Sequence, residues 1–317
     1  MKPDLLVLLE LAPDRMERLT EGGYTVHDGW RVPDRTEAIR AAGSKIKAVL
    51  TSGVTGLSAA EIDMLPNVEI ICAIAVGYEG IDVAYAQKKG LAVTHGPNTN
   101  APSVADSAMM LMLATARNLP QADNAVRTGQ WTKWRMSWPI ISNKKLGILG
   151  LGIIGKEIAK RAAQGFGMEI GYHNRRPVDG SPYRYFDNLK EMAGWADFIV
   201  IATPGGAGTR HLVNAGVLDA LGPNGFVINI GRGSVIDTEA LIDALKTNRI
   251  AGAGLDVLEG EPDVPPDLVP LKNVVLTPHN AGRSPEAMAA TVTLVLDNLN
   301  AHFSGKPVLT PVPLMTK

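Results

Sequence analysis

The sequence predicts an α/β fold with two doubly wound parallel sheets, and three observations carry that prediction. Short β-type runs alternate with amphipathic helical stretches along the whole chain, the pattern of parallel sheets covered by helices. The chain has 317 residues, which at roughly 150 residues per domain suggests about two domains. Its composition, 45% hydrophobic and 20% charged, is that of an ordinary globular protein in which each half can bury a core of its own.

The strands of the first sheet are expected near Leu5–Leu9, Tyr24–His27, Ala48–Thr51, Glu69–Ala75 and Leu91–Thr94, separated by helical stretches such as Asp14–Thr20 and Asp82–Lys88. The run Leu5–Leu9 is flanked by Asp4 and Glu10; it is too short and too acidic for a signal-peptide core and reads as a strand. A long helical pattern follows from Ser103 to about Arg117, with Pro102 at its start and Val104, Met109, Leu111 and Leu113 as apolar positions, and is expected to bridge the two halves. The second sheet is expected from Leu146–Leu149, Glu169–Tyr172, Phe198–Ala202, Phe226–Ile230, Gly252–Leu255 and Val274–Leu276. Ser284-Pro285-Glu286 then supplies an N-cap, a proline at the first helical position and an acidic first turn. The helix it opens carries Val292, Leu296 and Leu299 on one face and is expected to pack back on the first domain.

Several function classes are disfavoured by composition. With 31 Lys+Arg against 32 Asp+Glu, a net charge of −1, and no basic tail, the chain has no global field for polyanionic nucleic acid. No apolar run approaches the roughly 18 residues that cross a bilayer, so no membrane partner is expected and a cytoplasmic location is. The single cysteine, Cys72, lies in the apolar run Ile70–Val76 and reads as a buried structural thiol. His27, His95, His173, His211 and His302 show no metal-ligand spacing, and no metal is expected.

Gly150-Leu151-Gly152-Ile153-Ile154-Gly155 fits G-x-G-x-x-G. Among 33 glycines the spacing alone is weak, but here it follows the strand Leu146–Leu149 and opens a helical stretch with Ile154, Ile158 and Ala162, which leads to the next strand. In that βαβ setting the glycines provide a tight turn, close approach of backbone to a pyrophosphate and close helix–strand packing, with the helix N-terminus facing the anion. After the second strand, where an NAD enzyme places an acid for the ribose 2′-OH, the chain reads His173-Asn174-Arg175-Arg176-Pro177. Asn174 does not repel an anion, and Arg175 and Arg176 can pair a 2′-phosphate. NADPH is the expected cofactor, with NADH possible.

In a parallel sheet all strand C-termini lie on one edge, so polar residues just after successive strands should meet. Thr203 and Pro204 follow one strand of the second sheet; Ile230 with Gly231-Arg232-Gly233, Asp256 with Glu259 and Glu261, and Thr277-Pro278-His279 follow three others. With the loop Ala75-Val76-Gly77-Tyr78-Glu79-Gly80-Ile81-Asp82, this set resembles the D-2-hydroxyacid dehydrogenase family over nearly the whole chain. Trp131-Thr132-Lys133-Trp134 and Asn174-Arg175-Arg176 make it most similar to the NADP-dependent glyoxylate/hydroxypyruvate reductases.

The resemblance implies a flavodoxin-like substrate domain over residues 1–99 and 285–317 and a Rossmann dinucleotide domain over 100–284, with a cleft between them. It implies Arg232, Glu261 and His279 as the catalytic trio, Glu261 rather than Glu259 because the family's acid stands immediately before proline. Reducing a 2-oxo acid needs a hydride donor, a proton for the developing alkoxide and a clamp for the carboxylate. His279 as imidazolium suits the proton, Glu261 orients it and favours its charged form, and Arg232 suits the keto and carboxylate oxygens. Val54, Val76, Gly77 and Trp134 are further expected substrate contacts. Gly150 to Gly155, Asn174, Arg175, Arg176, Thr203, Pro204, Ile230 and Asp256 are expected to hold the cofactor, Asp256 near the nicotinamide amide.

Trp131, Trp134 and Trp138, with Met136, form an aromatic cluster that either fills a core or anchors an interface. In the resembling reductases this segment reaches across a homodimer, so a homodimer is expected. Two alternatives stay open: another member of the same family, such as a 2-ketogluconate reductase, a phosphoglycerate dehydrogenase or a formate dehydrogenase, and a dinucleotide-sensing, corepressor-like binding protein.

Overall fold

The structure, a computed structural model, describes residues 3–32 and 34–314. Its chain divides into two compact units, one formed by the chain up to Asn100 together with the chain from Ser284 onward, the other by Ala101–Arg283.

In the first unit the strands are β1 (Asp4–Val7), β2 (Thr25–Asp28), β3 (Ile46–Thr51), β4 (Ile70–Ala73) and β5 (Ala92–Thr94). They pair in parallel in the order β2-β1-β3-β4-β5. Successive strand side chains point to opposite faces. Leu6, Val49 and Ile71 accordingly build one core layer, while Leu5, Leu50, Ile70 and Cys72 build the other. That second layer is closed by the final helix, Pro285–Phe303, through Val292, Val295 and Leu299. Ser284 caps this helix by accepting the amide of Ala287 at 3.1 Å. Burial pushes the Cys72 thiol up to about 12, which leaves it a protonated core side chain.

The second unit adds β6 (Lys145–Leu149), β7 (Glu169–His173), β8 (Arg184–Phe186), β9 (Phe198–Ile201), β10 (Phe226–Asn229), β11 (Gly252–Leu255) and β12 (Val274–Leu276). All pair in parallel, in the order β12-β11-β10-β9-β6-β7-β8. Strand order reverses between β6 and β9, which opens a crevice beyond their carboxyl ends, the usual ligand position in such sheets. The short edge strand β8 is absent from the sequence expectation.

The helix expected to bridge the halves, Ala101–Ala116, belongs to the second unit, with 10 of its 16 residues buried. It is apolar on most sides because it lies against the sheet and against the helix Ile153–Phe166. Two glycines of β11 permit the close approach: a Cβ on Gly254 would stand 2.8 Å from Thr115 Oγ1 and 3.1 Å from Leu111 Cβ. Among the described residues no helix is long and apolar enough to cross a membrane.

Candidate active site

The glycine turn is built as a βαβ connection demands. Gly150 has φ +102°, and a Cβ there would stand 2.9 Å from the Ala202–Thr203 backbone. Gly155, in the first turn of the helix Ile153–Phe166, packs on the turn so tightly that a Cβ would lie 2.2 Å from Gly150 O. Gly152, by contrast, faces open space, with nothing within 4 Å of a Cβ position. As the helix N-cap it offers no side chain, so among the described residues the first-turn amides of Ile153, Ile154 and Gly155 have no side-chain acceptor. Such a cradle fits a pyrophosphate.

Asn174, after β7, accepts the amide of Leu151 through Oδ1 at 2.7 Å. Its acceptor is thereby turned toward the glycine turn, which leaves the Nδ2 donors available to a ligand. Arg175 and Arg176 are exposed beside it and make no ion pair among the described residues. Donor and cations together form an anion-favouring corner.

The β9, β10, β11 and β12 ends supply the rest of the rim. Asn229, fully buried at the end of β10, accepts the Gly231 amide through Oδ1 and donates from Nδ2 to Arg232 O, both at 3.0 Å. It fixes the turn that carries Arg232. The Arg232 stem crosses Gly205, where a Cβ would meet Arg232 Cγ at 3.1 Å, and Nη1 donates to Gly231 O at 2.8 Å. Thr203 lies under the same turn, its carbonyl 2.7 Å from a Cβ built on Gly231, and the Pro204 carbonyl accepts Thr209 Oγ1 at 2.8 Å. Ile230 is buried beneath them.

His279 and Glu261 meet directly, with Nδ1 to Oε1 at 2.5 Å and each side chain about a third exposed. A carboxylate only accepts, so Nδ1 carries a proton and Nε2 is directed away from Glu261. Glu261 Oε2 also accepts the Leu258 amide at 3.3 Å. The backbone of His279 has φ +50°, a left-handed conformation that costs a non-glycine residue energy and occurs at functional positions. Asp256, 2% exposed, holds it there. Its carboxylate accepts Thr277 Oγ1 at 2.6 Å and the amides of Asn280 and Ala281 at 3.0 Å each, while its carbonyl accepts the His279 amide at 2.8 Å.

The second acid of the loop has other partners: Glu259 bonds Arg210 and His211. Of the remaining expected contacts, Val54, Val76 and Gly77 follow β3 and β4 on the carboxyl edge of the first sheet. Val54 is 78% exposed, and the Val76 carbonyl faces His95 Nδ1 at 3.1 Å. Trp134 stacks on Trp138 with ring centroids 6.4 Å apart, while Trp131 is 63% exposed. Asn229 is absent from the sequence expectation; Glu259 stands there only as the acid passed over for Glu261, and His95 only as a histidine without metal-ligand spacing. A polar residue closing the apolar run Phe226-Val227-Ile228 is the one signal that could have marked Asn229.

Residues 109–281 match the family model described as D-isomer specific 2-hydroxyacid dehydrogenase, NAD binding domain. The chain is 41% identical over 298 residues to glyoxylate/hydroxypyruvate reductase A HPR2 of Arabidopsis thaliana, covering 94% of this chain and 95% of that one. It is 38% identical over 314 residues to the 2-ketogluconate reductase of Gluconobacter oxydans, with 98% and 99% covered. Among solved structures, the NADPH-dependent glyoxylate/hydroxypyruvate reductase of Sinorhizobium meliloti, in complex with NADP and malonate, superposes with a TM-score of 0.87 at 38% identity, covering 99% and 98% of the two chains. With a matched dinucleotide domain and relatives aligned end to end, the chain is an oxidoreductase of the D-isomer specific 2-hydroxyacid dehydrogenase family.

Proposed function

We propose that this protein reduces small 2-oxo acids, glyoxylate and hydroxypyruvate foremost, to 2-hydroxy acids with NADPH. The observation that carries the reading is the 2.5 Å bond between His279 and Glu261 on the same sheet edge as the Gly150–Gly155 turn and Arg232. The relatives named as glyoxylate/hydroxypyruvate reductases support the substrate class.

In this reading the unit Ala101–Arg283 is the dinucleotide domain and the other the substrate domain. The first-turn amides after Gly152 take the pyrophosphate, Asn174 Nδ2, Arg175 and Arg176 take a 2′-phosphate, and Thr203, Pro204, Ile230 and Asp256 line the cofactor's remainder. The reduced nicotinamide, when bound, supplies the hydride. As hydride reaches the keto carbon its oxygen gains negative charge, and His279 gives that oxygen the proton of Nε2. Glu261 keeps the ring oriented and stabilises the imidazolium before transfer. Arg232, with its five donors, holds a carboxylate oxygen and the keto oxygen and stabilises the developing charge. Val54, Val76, Gly77 and Trp134 are further proposed substrate contacts.

A homodimer belongs to the same proposal. Met110, Trp131, Met136 and Ile140 are each 49–63% exposed on one unit, large apolar and aromatic surface of the kind that interfaces bury.

Steady-state reduction measured over a panel of 2-oxo acids with each cofactor tests the reading. Glyoxylate and hydroxypyruvate are expected to give the highest kcat/KM; a larger value with 2-ketogluconate overturns the substrate assignment and favours the sugar-acid reductase. Arg175→Ala is expected to raise KM for NADPH roughly 10- to 100-fold, the loss of a charge-assisted hydrogen bond of about 1.5–3 kcal/mol, and to leave KM for NADH nearly unchanged. Equal losses for the two cofactors contradict a phosphate contact.

A further inference from the structure

Glu259, two residues before Glu261, has no part in the roles above, yet its carboxylate has three side-chain partners on two other segments of the rim. Its Oε1 lies 2.6 Å from Arg210 Nη1, and its Oε2 lies 3.0 Å from His211 Nε2 and 3.5 Å from Thr238 Oγ1. Arg210 and His211 belong to the loop after β9, and Thr238 opens the helix Thr238–Lys246 that follows β10. One carboxylate thus joins the segments after three neighbouring strands.

The backbone beneath is equally constrained. A Cβ on Gly233 would stand 1.9 Å from Leu258 C and 2.1 Å from Glu259 N, so the acid loop rests directly on the Arg232–Gly233 turn. The His211 amide donates to Ser234 O at 2.9 Å, with His211 itself at φ +51°. Burial opposes ionisation of Glu259, but the His211 hydrogen bond and the Arg210 charge outweigh it and hold the carboxyl below its usual range. The charged groups facing Glu259 are Arg210 and His211; those facing His279 are Glu261 and, through the neighbouring amides, Asp256.

We propose that Glu259 is a positioning residue, whose bonds to Arg210, His211 and Thr238 hold the 258–262 loop on the Arg232–Gly233 turn so that Glu261 reaches His279. Its catalytic consequence rests on the proton-donor reading of His279; its geometric content does not. A partly exposed ion pair contributes little to global stability, whereas a small displacement of a proton donor costs rate heavily. The two effects therefore separate.

The test uses full-length protein with 15N-labelled histidine, the His279 ring signals being assigned by their loss in His279→Gln. Glu261→Ala shifts the His279 Nδ1 resonance by breaking its bond. Glu259→Ala and Arg210→Met are expected to shift it in the same direction, with Glu259→Gln closer to wild type. In turnover, Glu259→Ala is expected to lower kcat about tenfold with KM for NADPH unchanged, and the Glu259→Ala/Glu261→Ala double variant to be no slower than Glu261→Ala, the non-additivity of residues acting through one contact. Wild-type Nδ1 signals in both Glu259→Ala and Arg210→Met overturn the inference. Should Glu259→Ala not fold, Arg210→Met carries the comparison. A wild type without turnover sinks the proposed activity, and the resonance still decides the positioning claim.

Discussion

His279→Gln is expected to lower kcat for 2-oxo acid reduction by about 10²–10⁴-fold, the range a positioned general acid contributes, with NADPH affinity preserved. Gln is close to His in size and can still accept or donate a hydrogen bond, but it holds no titratable proton. The proposed cradle for the cofactor lies elsewhere, at Gly150, Gly152 and Gly155 and the helix they open, so binding and chemistry are expected to separate in this variant. Fluorescence titration with NADPH alongside stopped-flow oxidation with glyoxylate checks both. A His279→Gln enzyme within a few fold of wild type removes the imidazole from the mechanism.

Asp256→Ala is expected to be the most damaging substitution for folding on this rim and to abolish turnover as well. The carboxylate is 2% exposed and serves the Thr277 hydroxyl and the amides of Asn280 and Ala281. Truncation leaves three donors without an acceptor in a buried place, at about 1–3 kcal/mol for each one that stays unsatisfied. The same loop holds His279 at φ +50°, a conformation with little intrinsic support once its bonds are gone. Thermal unfolding should show a fall of several degrees or more. Asp256→Asn, which keeps one acceptor oxygen, should lose less on both counts. A fully stable, fully active Asp256→Ala would mean that the β12 loop is held by something else.

These two residues also show where the sequence was legible. Strand-end reasoning placed an arginine, several acids and a histidine on one rim from a single topological rule, that parallel strands end on one edge, and the family resemblance singled out Arg232, Glu261 and His279 among them; the β10, β11 and β12 ends do lie adjacent in the sheet, and His279 does bond Glu261. The long alternating runs gave both sheets. The sequence was silent where tertiary contact decides. Strand β8 is three residues long, Arg184–Phe186, and exists because Tyr172 and His173 present an edge to pair with. The helix Ala101–Ala116 read as a bridge, since nothing local reveals that Gly252 and Gly254 open a groove for it on a sheet more than a hundred residues later.

The buried ties were hidden for a related reason. Asn229, Asn174 and Asp256 each sit at a strand end and turn a side-chain oxygen back onto the amides of a rim loop. Short polar side chains at strand ends are common in any α/β chain and usually only begin a turn. Their job appears when the loop they hold is seen, and so do the different partners of Glu259 and Glu261, two acids separated in sequence only by Gly260.

The central claim is that the rim turns substrate over rather than only sensing a dinucleotide. The most direct measurement follows NADPH absorbance in the purified wild-type protein with glyoxylate, with NADPH binding recorded on the same sample. Binding accompanied by steady, enzyme-proportional oxidation is the predicted result; saturable binding with no oxidation by glyoxylate, hydroxypyruvate or any other 2-oxo acid would contradict it.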